Sequence, residues 1–352
     1  MAPNDNPAMD QNGSITPIET YDWPGEDNNT TDGFEVNHQE LQTMANRFMV
    51  DLNTVEMKEV GSFHGALEHK GGTWEGALMA ETVIDTFTIG LFAITSDAMV
   101  ECTVAACGVA TSGQNYNIAE DHSWLTGKSR WDMNQYLDFV SPGGYLSHWD
   151  DKEKSYRLSS EYPVDKLEVS KSDTQIKYNS SNSFETGKWS EYGSFSKEFV
   201  RSLIMAYKEN LLLDYSKMME GIANELDTVK GKLRTLATDA SRAWHGPAEV
   251  KAQQALKKIY EGIGPLVTAY HTMSSLTRTW AEDILVPAQT RFDHVVTSEN
   301  WFTDIFQDDD DESARRFLKD LDRQLADKVL KNIPRSVRLD LPGLVRPEDR
   351  QH

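Results

Sequence analysis

From Ile204 onward, apolar side chains recur at Tyr207, Leu211, Tyr215, Met218, Ile222, Leu226, Val229, Leu233 and Leu236, in steps of three and four. That spacing predicts one straight amphipathic helix. The pattern stops at Arg242-Ala243-Trp244-His245-Gly246-Pro247 and restarts at Ala252, running through Leu256, Ile259, Ile263, Leu266, Tyr270, Met273, Leu276, Trp280 and Ile284. Gly246 supplies backbone freedom for a tight turn, and Pro247 suits a first helical position, where no N–H is needed. Residues 196–297 therefore read as an antiparallel helical hairpin, with Trp244 plugging the end where its arms meet.

The same plan stands earlier in the chain. A helical stripe begins at His38 with Leu41, Met44, Phe48, Leu52, Val55, Phe63 and Leu67. It meets the breaker Gly71-Gly72 and then Trp74-Glu75-Gly76. A second arm follows from Ala77 through Val83, Phe87, Leu91, Ile94 and Met99 to about Ala110, so that 38–112 forms a first hairpin. A lone hairpin cannot cover both of its apolar stripes. The fold class this predicts is mainly α, two long antiparallel helical hairpins packed as a four-helix bundle.

Helical periodicity disappears over 113–195, which holds Pro142-Gly143-Gly144 and several Ser/Asn clusters. Leu167, Val169, Ile176 and Tyr178 alternate around Lys171-Ser172-Asp173, which predicts a small β-hairpin on a loop-rich insert. Trp124, Trp131, Trp149 and Trp189 of this insert read as anchors pinning it to the bundle. Residues 1–37 read as a mobile tail, and Trp23-Pro24-Gly25 within it as a chance match to W-x-G. Pro287 should limit or kink the second arm, with residues to about His294 able to continue the helix. Residues 298–352 comprise the acidic run Asp308–Glu312, an amphipathic helix with Phe317, Leu318, Leu321, Leu325, Val329 and Ile333, and a tail from Pro334. Negative charge at a helix start suits the helix dipole, and the glycine and spacing of an EF-hand loop are missing.

Composition narrows the function classes. A net charge of -21 with no basic face excludes nucleic acid as a partner. The most apolar stretch, Ala77–Thr95, carries Glu81 and Asp85, so no membrane span is expected. The N-terminus has neither a basic start nor an apolar core of the secretory-signal kind. Cys102 and Cys107, five apart on a helix, point in different directions and read as two small buried side chains.

No catalytic constellation emerges from the letters: G-x-S-x-G, Walker, H-E-x-x-H and C-x-x-C patterns are missing. His64 and Glu68 could share a helical face and His148 lies near Asp150 and Asp151, but each set falls short of a metal site. No cofactor or metal is therefore expected. A cell-wall-directed hydrolase would draw on Asp150, Asp151 or Glu153 beside Trp149, where contiguous carboxylates also fit a solvated loop, and a glycan-binding protein would use the Trp-rich insert as its surface.

Two hairpins turning at Trp74-Glu75-Gly76 and Trp244-His245-Gly246 resemble the WxG family of type VII secretion substrates, here as a tandem, fused form. In that family one partner carries a Y-x-x-x-D/E signal beyond its second helix. Tyr116-Asn117-Ile118-Ala119-Glu120 matches it, 42 positions after Trp74 and at the only such match in the chain. The resemblance spans roughly 38–120 and 198–297. It implies that Trp74, Gly76, Trp244 and Gly246 shape the turns, and that Tyr116 and Glu120 are read by the type VII secretion ATPase. It further implies a non-enzymatic protein secreted by a non-Sec route, able to associate with itself or with a partner helical hairpin protein. A targeting chaperone for a co-secreted toxin is the other role compatible with this plan.

Overall fold

The turn at Gly246 organises the fold. In a computed structural model, helix α4 (Glu209–Ala243) ends at Trp244, and helix α5 (Pro247–Thr279) begins immediately after Gly246. Gly246 has φ 134° and ψ 177°, a conformation open to glycine, and Pro247 takes the first helical position. The two helices run antiparallel: Ser216 Oγ donates to the Ser274 carbonyl at 2.9 Å, and Gln253 Nε2 to the Ala237 carbonyl at 2.8 Å. The structure describes residues 6–25, 35–54, 74–121, 149–150, 155–156, 167–170, 175–178, 192–297 and 310–343.

The first pair consists of α1 (His38–Thr54) and the much longer α2 (Glu75–Asp121). Leu41 and Ala45 of α1 cluster with Val109 and Ala110 of α2, so these helices are also antiparallel. Each of α1, α2, α5 and α4 packs against the next around a ring that closes from α4 back to α1. On the diagonal, Tyr215 of α4 donates to Thr88 of α2 at 2.9 Å, while Ala240 and Ala243 meet Val109 and Ala110, so α2 and α4 run parallel. The result is the mainly α, four-helix bundle expected of two hairpins. The α2 helix is long and apolar enough by composition to cross a membrane; here it packs against α1 and α5, with Thr95 Oγ1 3.0 Å from the Tyr270 hydroxyl. Cys102 and Cys107 on it are buried thiols, and burial pushes both up.

Helices from the rest of the chain close the bundle at the Trp74 end. They are α3 (Lys197–Ala206), α6 (Val286–Thr297) and α7 (Asp310–Lys328). The straight helix expected from Ile204 to Leu236 is interrupted: Tyr207 is extended, with ψ 138°. Periodicity survives the break because Tyr207 stays buried against Trp74 and Trp280. The freed carbonyls of Ile204 and Tyr207 accept from Gln289 Nε2 at 3.0 and 2.8 Å. Pro287 does not end the second arm, which passes from α5 through a π-helical turn at Trp280–Leu285 into α6. The acidic run serves the helix dipole twice. Asp310 to Glu312 open α7, and Asp311 accepts the Lys197 N–H at 2.7 Å at the start of α3.

The insert hairpin forms with β5 (Leu167–Ser170) against β6 (Gln175–Tyr178), pairing Leu167 with Tyr178 and Val169 with Ile176. It belongs to a sheet of order β1-β8-β6-β5-β4-β3, in which β1 is Ser14–Ile15, β3 Trp149–Asp150, β4 Ser155–Tyr156 and β8 Ser336–Arg338. Both end segments, read from sequence as tails, thus have a described packed part. Residues 6–25 lie along α5. Thr268 Oγ1 donates to the Pro7 carbonyl at 2.5 Å, the Thr20 N–H to Glu261 at 2.7 Å, and buried Trp23 to Gln253 at 3.1 Å. Low apolar content hides this packing, because a few deep anchors, Ile15 and Trp23, do the burying. On the C-terminal side Val337 and Leu339 are fully buried.

The C-terminal strap crosses α5 at Gly262. A Cβ there would lie 2.7 Å from both the Leu339 carbonyl oxygen and Leu341 Cδ2. Gly262→Ala should therefore destabilise the fold by about 1–3 kcal/mol. Gly231→Ala, where nothing lies within 4 Å of the added Cβ on α4, should stabilise it by about 0.5–1 kcal/mol. Urea denaturation of the two variants checks the contrast, and equal effects would refute the crossing.

Candidate functional site: the two W-x-G elbows

The two W-x-G segments occupy opposite ends of the bundle and are built differently. At Trp244 the elbow is a tight turn. The indole is 1% exposed and sits in a cluster of Leu41, Ala45, Val109, Ala110, Ala240 and Ala243, plugging the end where α1, α2 and α4 meet. A backbone clip, not anticipated from sequence, reinforces it: β7 (Trp244–His245) pairs antiparallel with β2 (Glu35–Val36), setting Val36 opposite Trp244. The Asn37 N–H then donates to the Ala243 carbonyl at 2.8 Å, so residues just before α1 satisfy the C-terminus of α4.

At Trp74 the motif opens α2 instead. The residues just before it, 55–73, lie outside the described ones, and Gly76 is in the first helical turn. Trp74 is fully buried and its Nε1 donates to Asp322 Oδ1 at 2.7 Å. The other carboxylate oxygen accepts from the Tyr192 hydroxyl at 2.7 Å. The Gly76 backbone N–H lies near enough to this carboxylate to favour its charge, so Asp322 of α7 sits against the N-terminal turn of α2. Trp and Gly of the motif thus converge on one acid, 248 positions away from Trp74. Burial pushes the Asp322 carboxyl up to about 7. The Tyr192 and Trp74 hydrogen bonds work against that rise, and the nearby Glu75 adds to it. Tyr207 packs edge-on to Trp74, with centroids 5.1 Å apart, and leads on to Trp280 at 6.0 Å.

Asp322 is the site residue that sequence reasoning missed, and the signal was there. Its neighbours Leu318, Leu321 and Leu325 are the core stripe of α7, and an acid at 322 falls on that stripe. A charge on the apolar face of an amphipathic helix calls for a donor in the core.

Tyr116 and Glu120 fall within the final turns of α2, which runs on past Ala110, where the sequence pattern fades. Their side chains lie outside the described residues. Four positions apart on a helix, they share one face. Ala110 is level with Ala243 and Trp244, so the stretch from Thr111 to Asp121 carries the helix about three turns, roughly 16 Å, beyond the α4–α5 hairpin. Trp124, Trp131 and Trp189, with His64, Glu68, His148, Asp151 and Glu153, also lie outside the described residues.

Compared with protein-family models, with curated proteins and with solved structures, the chain matches none. The functional reading therefore rests on geometry. Among the described residues, no group of three or more His, Cys, Asp or Glu side chains gathers as metal ligands would. What the elbows do chemically is hold helix ends: one by an indole plug and strand clip, the other by a buried carboxylate.

Proposed function

We propose that this chain is a substrate or assembly subunit of a bacterial type VII secretion system, exported as a folded helical bundle and acting by protein–protein contact rather than catalysis. The observation that carries this reading is the overhang of α2. Tyr116 and Glu120 stand one turn apart on a helical end that continues past the elbow of the second hairpin. A signal read by a second protein has to stand clear of the core formed around it, and a helix presents such a pair in fixed register. The partner is the secretion ATPase, and the route out of the cell bypasses Sec.

The bundle itself supports the reading. In one chain, two hairpins cover each other's apolar stripes, which removes the association entropy that separate partners would face. The chain should accumulate outside the cell only while the secretion ATPase is intact. Tyr116→Ala combined with Glu120→Ala should cut export at least about 10-fold, the scale of losing one or two interface contacts. Far-UV circular dichroism of the purified variant should be unchanged. Normal export of the double variant, or export without the ATPase, would remove the assignment.

A further inference from the structure

Several departures from regular packing meet at the Trp74 end. The backbone breaks between α3 and α4 at Tyr207, and the other arm widens into the π turn Trp280–Leu285, where the Val286 N–H reaches back to the Ala281 carbonyl. Tyr192 has φ 47°, a left-handed conformation that strains a bulky L-residue. Trp280 is fully buried, and its Nε1 has no hydrogen-bond partner among the described residues. The buried Asp322 carboxylate lies in the same region. Each feature is unfavourable alone. Such features persist where the surroundings impose them, and they gather at moving or functional parts of a fold.

The two backbone irregularities bound one two-helix unit. Gln289 of α6 donates to the Ile204 and Tyr207 carbonyls at the end of α3, and Arg201 of α3 pairs with Asp293 of α6 at 3.1 Å. These side-chain links tie α3 to α6. The unit touches α7 through Lys197 on Asp311, Arg315 on the Phe195 carbonyl at 2.9 Å, and Phe292 edge-on to Phe317 at 5.4 Å. Tyr192, just ahead of α3, reaches deepest, to Asp322.

We propose that residues 192–206 and α6 form a flap, hinged at Tyr207 and at the π turn, that the Tyr192–Asp322 hydrogen bond holds shut over Trp74 and α7. Opening releases the left-handed strain at Tyr192 and lets water satisfy the Trp280 N–H, so part of the cost of lost packing is offset. The flap therefore opens without unfolding the rods α4 and α5, as a low-stability unit beside a high-stability one.

Amide hydrogen exchange on the full chain tests this. Amides of 197–206 and 286–297 should be at least about 10-fold less protected than those of 222–236 and 256–273, and should open with a smaller urea dependence. Tyr192→Phe, which removes the hydroxyl from a buried carboxylate, should speed exchange in α3 and α6 by about 10-fold or more and leave α4 and α5 unchanged. Exchange of all four helices in step, a uniform acceleration in Tyr192→Phe, or no change in that variant would each overturn the flap. If Tyr192→Phe fails to fold, the urea dependence of the unaltered chain decides alone.

Discussion

Trp244→Ala is expected to lower the unfolding free energy by about 3–5 kcal/mol, the range for removing a fully buried aromatic side chain. The magnitude belongs at the upper end for a reason of position. Its indole fills a space bounded by three helices, with Leu41 and Ala45 from α1, Val109 and Ala110 from α2, and Ala240 and Ala243 from α4. The neighbouring side chains on α2 and α4 are mostly alanines, which cannot swing inward to fill a void, so the cavity term adds nearly in full to the transfer term. The backbone of Trp244 is meanwhile paired with Val36, which ties the start of α1 to the same point. Gly246→Ala should cost less, about 1–3 kcal/mol, because it strains one residue at φ 134° without opening a cavity. Urea denaturation of the three proteins ranks them. A loss below about 1 kcal/mol for Trp244→Ala, or a larger one for Gly246→Ala, would show that the elbow is held by its backbone rather than by its indole.

Features set by neighbouring residues could be read from the letters, and features set by distant ones could not. Gly246-Pro247 was legible because glycine freedom followed by a fixed proline φ is a local property of the chain. The insert hairpin was legible for a similar reason, since alternation on both sides of Lys171-Ser172-Asp173 marks two strands and the turn between them. Tyr207 was not legible. Its spacing fits a continuous helix, and the break depends on Gln289, 82 positions away, satisfying the freed carbonyl. The packed end segments escaped for a different reason. Their hydrophobic residues are few and non-periodic, and their hold rests on hydrogen bonds to Glu261, Gln253 and Thr268 that only the assembled bundle presents. For the candidate site, the motif marks Trp74 and Gly76 but not the α7 carboxylate that both meet, which lies 248 positions after Trp74.

That carboxylate leads to the second large effect: the melting temperature should rise as pH falls from about 8.5 to about 5. Burial pushes Asp322 up to about 7 from an ordinary 3.8, and burial followed by the charge of Asp85 pushes Glu81 up to about 8 from 4.5. Between those limits the unfolded chain has already released both protons while the folded chain keeps them. The folded state therefore binds more protons, and stability must decline as pH rises through this window. Below about 3 both states are protonated, and above about 9 both are ionised, so the dependence levels off at each end. The two groups together account for a change on the order of a few kcal/mol. General repulsion in a chain of net charge -21 acts in the same direction, so the slope alone does not identify the groups. Glu81→Gln combined with Asp322→Asn separates the two. Both replacements stay neutral at every pH, and the amide oxygen that Asp322→Asn introduces would still accept from Trp74. The double variant should therefore lose most of the slope between about pH 5 and 8.5 while the repulsive background remains. Calorimetric melting across that range decides it. A slope unchanged in the double variant would assign the effect to net charge, and a melting temperature that rises with pH would mean that the hydrogen bonds from Trp74 and Tyr192 outweigh burial and keep Asp322 ionised in the fold.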